Sequence, residues 1–188
     1  MLRLTKTQII NALKVWIPLA IVATGLSGLI YLAVQQDLRI GANDPQIQIA
    51  EDVARQISTG ENPLAFIPPI KVEVSQSLAN YIVIFDAKGN IIGSSAVLDG
   101  KELMLPSGVF TSAKNNGETR FTWQPRAGIR SAVVMNYYKG LNTGYVLVGR
   151  SMREIEKKID HLGLIIFLGW LVTLGTSLIA VLILQKAK

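Results

Sequence analysis

Residues Tyr145–Trp170 read YVLVGRSMREIEKKIDHLGLIIFLGW. The stretch begins with β-branched and aromatic residues typical of a strand, continues as a charged helical segment, and ends in unbroken apolar sequence. No proline and no Ser/Gly-rich linker separates the three parts. Because flexible linkers are built from such residues, the sequence predicts that a folded domain is joined stiffly to an apolar helix.

Two uncharged apolar runs, residues 15–34 and 162–184, are long enough to cross a membrane. A bilayer core about 30 Å thick requires about 20 residues of helix. A cleaved signal peptide is the alternative for the first run, but its apolar core would be shorter and LIYLAVQQD offers no small-residue cleavage site. We therefore expect an uncleaved anchor and two transmembrane helices.

The net charge of +6 is concentrated at the two ends of the chain. Residues 1–14 and 185–188 hold five basic residues and no acidic residue, whereas all 13 acidic residues lie between the spans. Short basic flanks remain in the cytoplasm, and long loops cross largely regardless of their charge. The pattern predicts two cytoplasmic tails and an extracytoplasmic domain at residues 35–161, and it argues against a nucleic-acid partner.

Residue types that carry catalysis or bind metals are scarce. The chain has no cysteine and one histidine, His161, which stands at the edge of the second span. A metal site or a Ser-His-Asp arrangement is therefore not expected, and the sequence carries no P-loop, dinucleotide or HExxH motif. We predict no enzymatic activity and no cofactor, with an interfacial role for His161 and pH sensing as the alternative.

The central segment has the pattern of a mixed helical and sheet domain. Asp44 followed by Pro45 predicts a helix start, and apolar residues at 3–4 spacing continue to Ser58. Prolines make residues 61–71 irregular. The rest predicts strands at 81–86, 91–95, 119–124, 129–138 and 144–151, a short helix at 106–116 ended by Gly117, and turns at 87–90, 125–128 and 139–143.

Two of the strands, YIVIF and AVVM, are apolar at consecutive positions. Continuous apolar runs indicate a sheet that is covered on both faces. The helix at 44–58 is expected to cover one face, and the segment 106–116 with its loops the other. Loops over a sheet can enclose a small concavity, which is a usual place for a ligand.

This order of elements resembles the extracytoplasmic PAS-like (Cache/PDC) sensor domains of bacterial histidine kinases and chemoreceptors. The resemblance is carried by YIVIFDAKGNIIGSS, TWQPRAGIRSAVVMNYY and YVLVGRSMREIEKKI. It implies an α+β fold with a long N-terminal helix and a PAS-like five-stranded antiparallel sheet. It also implies two-component signal transduction at the bacterial plasma (inner) membrane.

The resemblance places a ligand pocket beside the two strands that contain residues 119–138. Arginine can hold a carboxylate through two hydrogen bonds, and aromatic rings can close over an apolar group. Strand alternation puts Arg130, Asn136 and Tyr138 on one face, and with Trp123 these form the expected ligand contacts. The alternative is that Trp123 is a core residue and the arginines are solvated at an edge.

The helix that leaves the last strand has an apolar seam at 3–4–3 spacing, formed by Met152, Ile155, Ile159 and Leu162. Such a helix is expected to transmit a shift of the sheet to a homodimer mate or a membrane signalling partner. An ordinary amphipathic juncture of a membrane anchor is the alternative.

These observations predict a membrane-anchored sensor that binds a small molecule or a partner outside the cell and interacts with the lipid bilayer. Receptors of this kind continue into a HAMP, kinase or methyl-accepting module, whereas the sequence ends in LQKAK. Two alternatives therefore remain open. The chain is an interaction or assembly subunit that binds no ligand, or it is the sensor portion of a longer histidine kinase.

Overall fold

The structure, a computed structural model, describes residues 5–186. It divides into two compact units, which we call the sheet domain (residues 39–156) and the helix pair (residues 5–38 and 157–186). In chain order the elements are α1 (Lys6–Gly41), α2 (Asp44–Ser58), a 3-10 turn (Pro63–Phe66), β1 (Val72–Glu73), β2 (Tyr81–Asp86), β3 (Ile91–Ser94), β4 (Ala96–Val97), α3 (Ser107–Asn116), β5 (Glu118–Arg126), β6 (Ile129–Lys139), β7 (Thr143–Ser151) and α4 (Arg153–Lys186).

Five strands of the sheet domain form one antiparallel sheet in the order β3-β2-β7-β6-β5. Hairpins join β2 to β3, β5 to β6 and β6 to β7, while α3 lies between the two edge strands in the chain. The predicted α+β class and antiparallel five-stranded sheet are confirmed. The parallel pairing of β1 with β4 is an addition, because two-residue strands give no periodic signal in a sequence.

One face of the sheet is covered by α2, as predicted. The apolar stripe of this helix packs against alternate residues of β2, β6 and β7, and the cluster is formed by Ala50, Val53, Ala54, Ile57, Ile84, Val134, Tyr138, Val146 and Val148. Ile67, just after the 3-10 turn, extends the cover to the edge strand, where a Cβ on Gly93 would lie 2.9 Å from its side chain. Glycine at this position therefore allows close packing.

The opposite face is covered by α3 and by the loops on either side of it, again as predicted. The ring of Phe110 in α3 forms T-shaped contacts with two sheet residues, Phe85 and Tyr145, and the ring centroids are 5.1 and 5.2 Å apart. Buried residues from the loops, including Val74 and Leu103, complete this core together with Ala96 of β4. The consecutive apolar residues of β2 and β6 are explained by these two separate cores.

Several predicted boundaries differ from the structure. Asn43 occupies the N-cap of α2, and Asp44 is already helical, because Pro45 is accommodated anywhere in the first turn. The stretch predicted to be irregular contains the 3-10 turn. Pro125 and Arg126 belong to β5 and not to a turn, since an irregular register at the edge of the sheet tolerates a residue without an N–H group. The turn itself is formed at Ala127 and Gly128, where φ of Gly128 is +79°.

The helix pair consists of the parts of α1 and α4 that contain the two predicted spans. Both helices are long and apolar enough to cross a membrane, judged by length and composition alone. The indole N–H of Trp16 donates to Ser177 Oγ (3.1 Å), and that of Trp170 donates to Thr24 Oγ1 (2.9 Å). Residue numbers rise along one helix as they fall along the other, so the two helices run antiparallel.

Candidate functional site

A concavity of about 350 Å³ opens in the sheet domain between β5 and the loop that follows β4. Its apolar wall is formed by Leu98, Leu103, Met104, Trp123 and Pro125, and its charged rim by Asp99, Lys101 and Glu102. Ligand pockets in proteins range from about 300 to 1,000 Å³, and the volume of this concavity lies near the lower end of that range. An apolar wall with charges at the mouth can hold a compact ligand that has one apolar part and one polar group.

The rim is shaped by a tight turn from Leu98 to Lys101. Asp99 and Gly100 both have positive φ, +52° and +75°, and Leu98 pairs with Lys101 across the turn. This is the geometry of the two-residue Asp-Gly turn that closes hairpins. The carboxylate of Asp99 also forms a 2.9 Å ion pair with Arg126 of β5, and both side chains are about half exposed. The ion pair joins the rim to the edge of the sheet.

Glu73 of β1 also holds the rim in place through hydrogen bonds of its carboxylate. Its carboxylate accepts hydrogen bonds from Ser75 Oγ (2.8 Å), Ser75 N (3.3 Å) and the backbone N–H of Asp99 (3.2 Å). The hydrogen bond from the Ser75 side chain is the largest cause that holds the pKa of Glu73 below its ordinary value, and backbone donors add to it. Glu73 is therefore a charged acceptor at the base of the rim.

The four expected ligand contacts are not brought together. Trp123 is buried on the face of the concavity, opposite Ser131 of β6. Arg130, Asn136 and Tyr138 alternate with Ser131 and lie on the face covered by α2, where Asn136 and Tyr138 are 8% and 4% exposed. The sheet thus separates Trp123 from the other three, and Tyr138 is part of a packed core.

Arg130 has a different environment from the one the sequence predicts. Its guanidinium forms a 2.7 Å ion pair with Glu156 in the first turn of α4, with both side chains about one-third exposed. Its backbone carbonyl accepts a hydrogen bond from Met152 N (2.8 Å). Arg130 therefore ties the start of the exit helix to the sheet.

The predicted seam of the exit helix is divided between the two units. Met152 lies one residue before α4, is 3% exposed, and its sulfur accepts a 3.8 Å hydrogen bond from Thr122 Oγ1. Ile155 is half-buried in the sheet domain. Ile159 is buried and Leu162 half-buried within the helix pair. The seam is therefore a row of covered positions that begins at a residue fixed by the sheet.

Sequence reasoning missed the loop that forms most of the concavity. Asp99-Gly100 is a recognisable turn signal, and Leu103 and Met104 are apolar residues in an otherwise polar loop.

Among residues 5–186, no three His, Cys, Asp or Glu side chains lie close enough to hold a metal ion.

No family model matches this chain, and no curated protein matches it either.

Proposed function

We propose that this chain is a membrane-anchored sensor whose extracytoplasmic sheet domain binds a small molecule in the concavity beside Trp123. Binding shifts the loops that line the concavity, and the exit helix α4 passes the shift to the helix pair and to a partner in or below the membrane. The observed order of a long helix, a hairpin, a short helix and three antiparallel strands supports a PAS-like domain of the Cache type.

The observation that carries this proposal is the joint between the sheet and α4. The backbone N–H of Met152 donates a hydrogen bond to the carbonyl of Arg130. The ion pair between Arg130 and Glu156 holds the first turn of α4 against the sheet. The same helix continues to Lys186 through the apolar span. A continuous helix transmits rotation and displacement, whereas a flexible linker would absorb both.

The charge pattern supports the orientation in the membrane. Basic tails without acidic residues favour a cytoplasmic position for both ends, which supports an extracytoplasmic position for the sheet domain. With the resemblance to bacterial receptors, this supports the bacterial plasma membrane as the location.

Ligand binding is tested by thermal-shift screening of the full chain in phosphatidylcholine nanodiscs against a library of small metabolites. A ligand at 100 times its Kd stabilises the folded state by about 2.7 kcal/mol, which raises Tm measurably. Lys101→Gln with Glu102→Gln at the rim is expected to weaken a hit. Lys88→Gln with Glu61→Gln, an equally exposed pair outside the concavity, is the matched control. A screen that yields no ligand removes the sensing role.

Transmission is tested by cross-linking within the helix pair. Ala12 and Val181 are buried between the Gln8–Gln185 and Trp16–Ser177 hydrogen bonds, and the chain has no native cysteine. A bound ligand is expected to change the rate at which Ala12→Cys and Val181→Cys form a disulfide. One alanine inserted after Met152 turns the rest of α4 by about 100° and should abolish that response. A ligand that binds without changing the rate rejects transmission.

An interaction or assembly subunit is the second candidate, favoured by apolar side chains that the sheet domain leaves exposed. Ile70, Met104 and Leu141 are 79%, 88% and 82% exposed. Methionine in particular is enriched at protein–protein contacts relative to the rest of the protein surface. The two candidates are separated by the thermal-shift screen, because only the sensor responds to a metabolite.

A further inference from the structure

The segment that links β1 to β2, residues 73–78, contacts both the rim of the concavity and the base of α4. We call it the Glu73 turn. It is a compact unit, since the carbonyl of Glu73 accepts hydrogen bonds from Gln76 N (3.0 Å) and Ser77 N (2.8 Å). The side chain of Glu73 closes over the same turn by accepting from Ser75. Residues held in this way move together.

On the rim side, the Glu73 turn is bonded to the loop that forms the mouth of the concavity. The carboxylate of Glu73 accepts from the backbone N–H of Asp99, a rim residue. Val74 N donates to the carbonyl of Val97 (2.9 Å), and the parallel pairing of β1 with β4 aligns Glu73 with Val97. A displacement of the rim therefore pulls on Glu73 directly.

On the helix side, two arginines bind carbonyl groups of the same turn. Arg153, the first residue of α4, donates from Nη2 to the carbonyl of Gln76 at 3.1 Å. Arg150, near the end of β7, donates from Nε to the carbonyl of Leu78 at 3.1 Å. Hydrogen bonds from a guanidinium are charge-assisted and stronger than those between neutral groups. The Glu73 turn is thus hydrogen-bonded both to the end of β7 and to the start of α4.

We propose that the Glu73 turn is a relay that carries movement of the concavity rim to the first turn of α4, with Glu73 as its positioning residue. This inference rests on the proposed sensing function and names its regulatory path. Apart from Arg150, which belongs to β7, the route lies outside the five-stranded sheet, whose ladder of backbone hydrogen bonds resists bending. The relay instead uses a pair of two-residue strands and three side chains, which can shift without breaking the sheet.

The relay is tested by hydrogen exchange, measured by mass spectrometry on the full chain in phosphatidylcholine nanodiscs without any ligand. Glu73→Ala removes the bonds to Ser75 and Asp99. The amide of Glu156, which donates to the carbonyl of Met152, is then expected to exchange at least about fivefold faster. Glu118→Ala is the matched control, because Glu118 pairs with Arg120 on an edge strand away from the turn.

The reverse experiment starts from the helix side. Coupling between two sites is reciprocal, so Arg150→Gln with Arg153→Gln should speed exchange of the Ser75 and Asp99 amides by a similar factor. Arg55→Gln, an exposed arginine paired with Asp52, is the control. Both relay arginines are exposed in the structure, and this pair of variants therefore decides the question if Glu73→Ala fails to fold.

Faster exchange confined to residues 73–78 in Glu73→Ala, with residues 152–156 unchanged, overturns the relay, as does unchanged exchange at Ser75 and Asp99 in the arginine variants. Neither result touches ligand binding in the concavity. Conversely, a metabolite screen without a hit removes the sensing role while leaving the measured coupling between rim and helix in place. The two failures are therefore distinguishable.

Discussion

The two faces of the sheet are covered by different kinds of structure. On one face α2 satisfies its own backbone hydrogen bonds, so apolar side chains such as Ala50 and Ile57 can lie directly against the strands, both fully buried. On the other face the loops around α3 need side chains to satisfy their backbone. Ser94 Oγ bonds to both backbone groups of Ala96, and Glu73 accepts from two backbone amides.

This difference teaches where a small domain can keep room for a ligand. A helix lying on a sheet excludes solvent along its whole length, because its apolar stripe is continuous. Loops approach the sheet only where individual residues anchor them, and the intervals between anchors remain open. The concavity beside Trp123 is such an interval, and the hydrogen bonds that anchor its rim also connect it to the exit helix.

The largest expected effect tests the comparison directly. Ile57→Ala on the α2 face should lower the free energy of unfolding of the sheet domain by about 4 kcal/mol, because a closed core cannot collapse around the cavity. Leu103→Ala at the wall of the concavity should cost about 2 kcal/mol, since solvent and loop residues can fill the space. Native-state hydrogen exchange of β6 and β7 amides measures both. Equal costs would mean that the two faces are equally closed.

The second prediction asks whether the loop face is tightly packed away from the concavity. Tyr81 is 1% exposed and its ring crosses Gly149, where a Cβ would lie 2.2 Å from a ring carbon. Gly149→Ala should therefore destabilise the sheet domain by about 3 kcal/mol. Gly108→Ala is the control, since its Cβ would meet open space among residues 5–186. Identical thermal melting curves for the two variants would show that the face covered by the loops is loosely packed near Tyr81 as well.

The third prediction concerns a polar exception on α2. Gln46 is fully buried, and neither polar atom of its side chain has a hydrogen-bond partner among the described residues. A buried unsatisfied amide costs about 1–3 kcal/mol, so Gln46→Met, which keeps the length of the side chain, should stabilise the domain by about 1–2 kcal/mol. Pulse proteolysis in urea measures the change, with exposed Gln48→Met as the control. A loss of stability would reveal a partner that holds the amide.

The smallest effect is expected from Glu73, which is in contact with solvent. Because its pKa is lower in the folded state, its stabilising contribution is complete above its ordinary pKa of 4.5 and is lost as the pH falls through the folded-state value. Glu73→Gln should therefore flatten the dependence of Tm on pH below about 5. Asp86→Asn is the parallel case on the β2–β3 hairpin, where Asn90 lowers the pKa of Asp86. An unchanged pH profile in Glu73→Gln would show that its carboxylate does not hold the rim.

Much of the fold could be predicted because apolar periodicity reports local structure. The stripe of α2, the consecutive apolar residues of β2 and β6, and the glycine at the end of α3 each indicated the element that the structure contains. The division into two covered faces followed from the same runs. The β1–β4 pair could not be predicted, since two residues are too few to show a periodic pattern in the sequence.

The candidate site was harder to predict because a site depends on which face each residue joins. Alternation within β6 was correct, yet Trp123 belongs to the neighbouring strand, and its face is fixed by pairing with Ser131. Arg130 offered a guanidinium suitable for a ligand, but its partner is Glu156, 26 residues further along the chain. Pairing across strands and between distant charges is set by tertiary structure, which the sequence pattern does not encode.

The two indole hydrogen bonds of the helix pair limit how α4 can move against α1. Trp16 and Thr24 lie eight residues apart, or about 12 Å along α1, and each bonds to the other helix. Sliding α4 by one helical turn would bring the Trp170 indole level with Ala20 or Gly28, whose side chains offer no oxygen. A slide of one helical turn in either direction would therefore break the Trp170–Thr24 hydrogen bond, whereas a tilt or twist of the two helices could keep it.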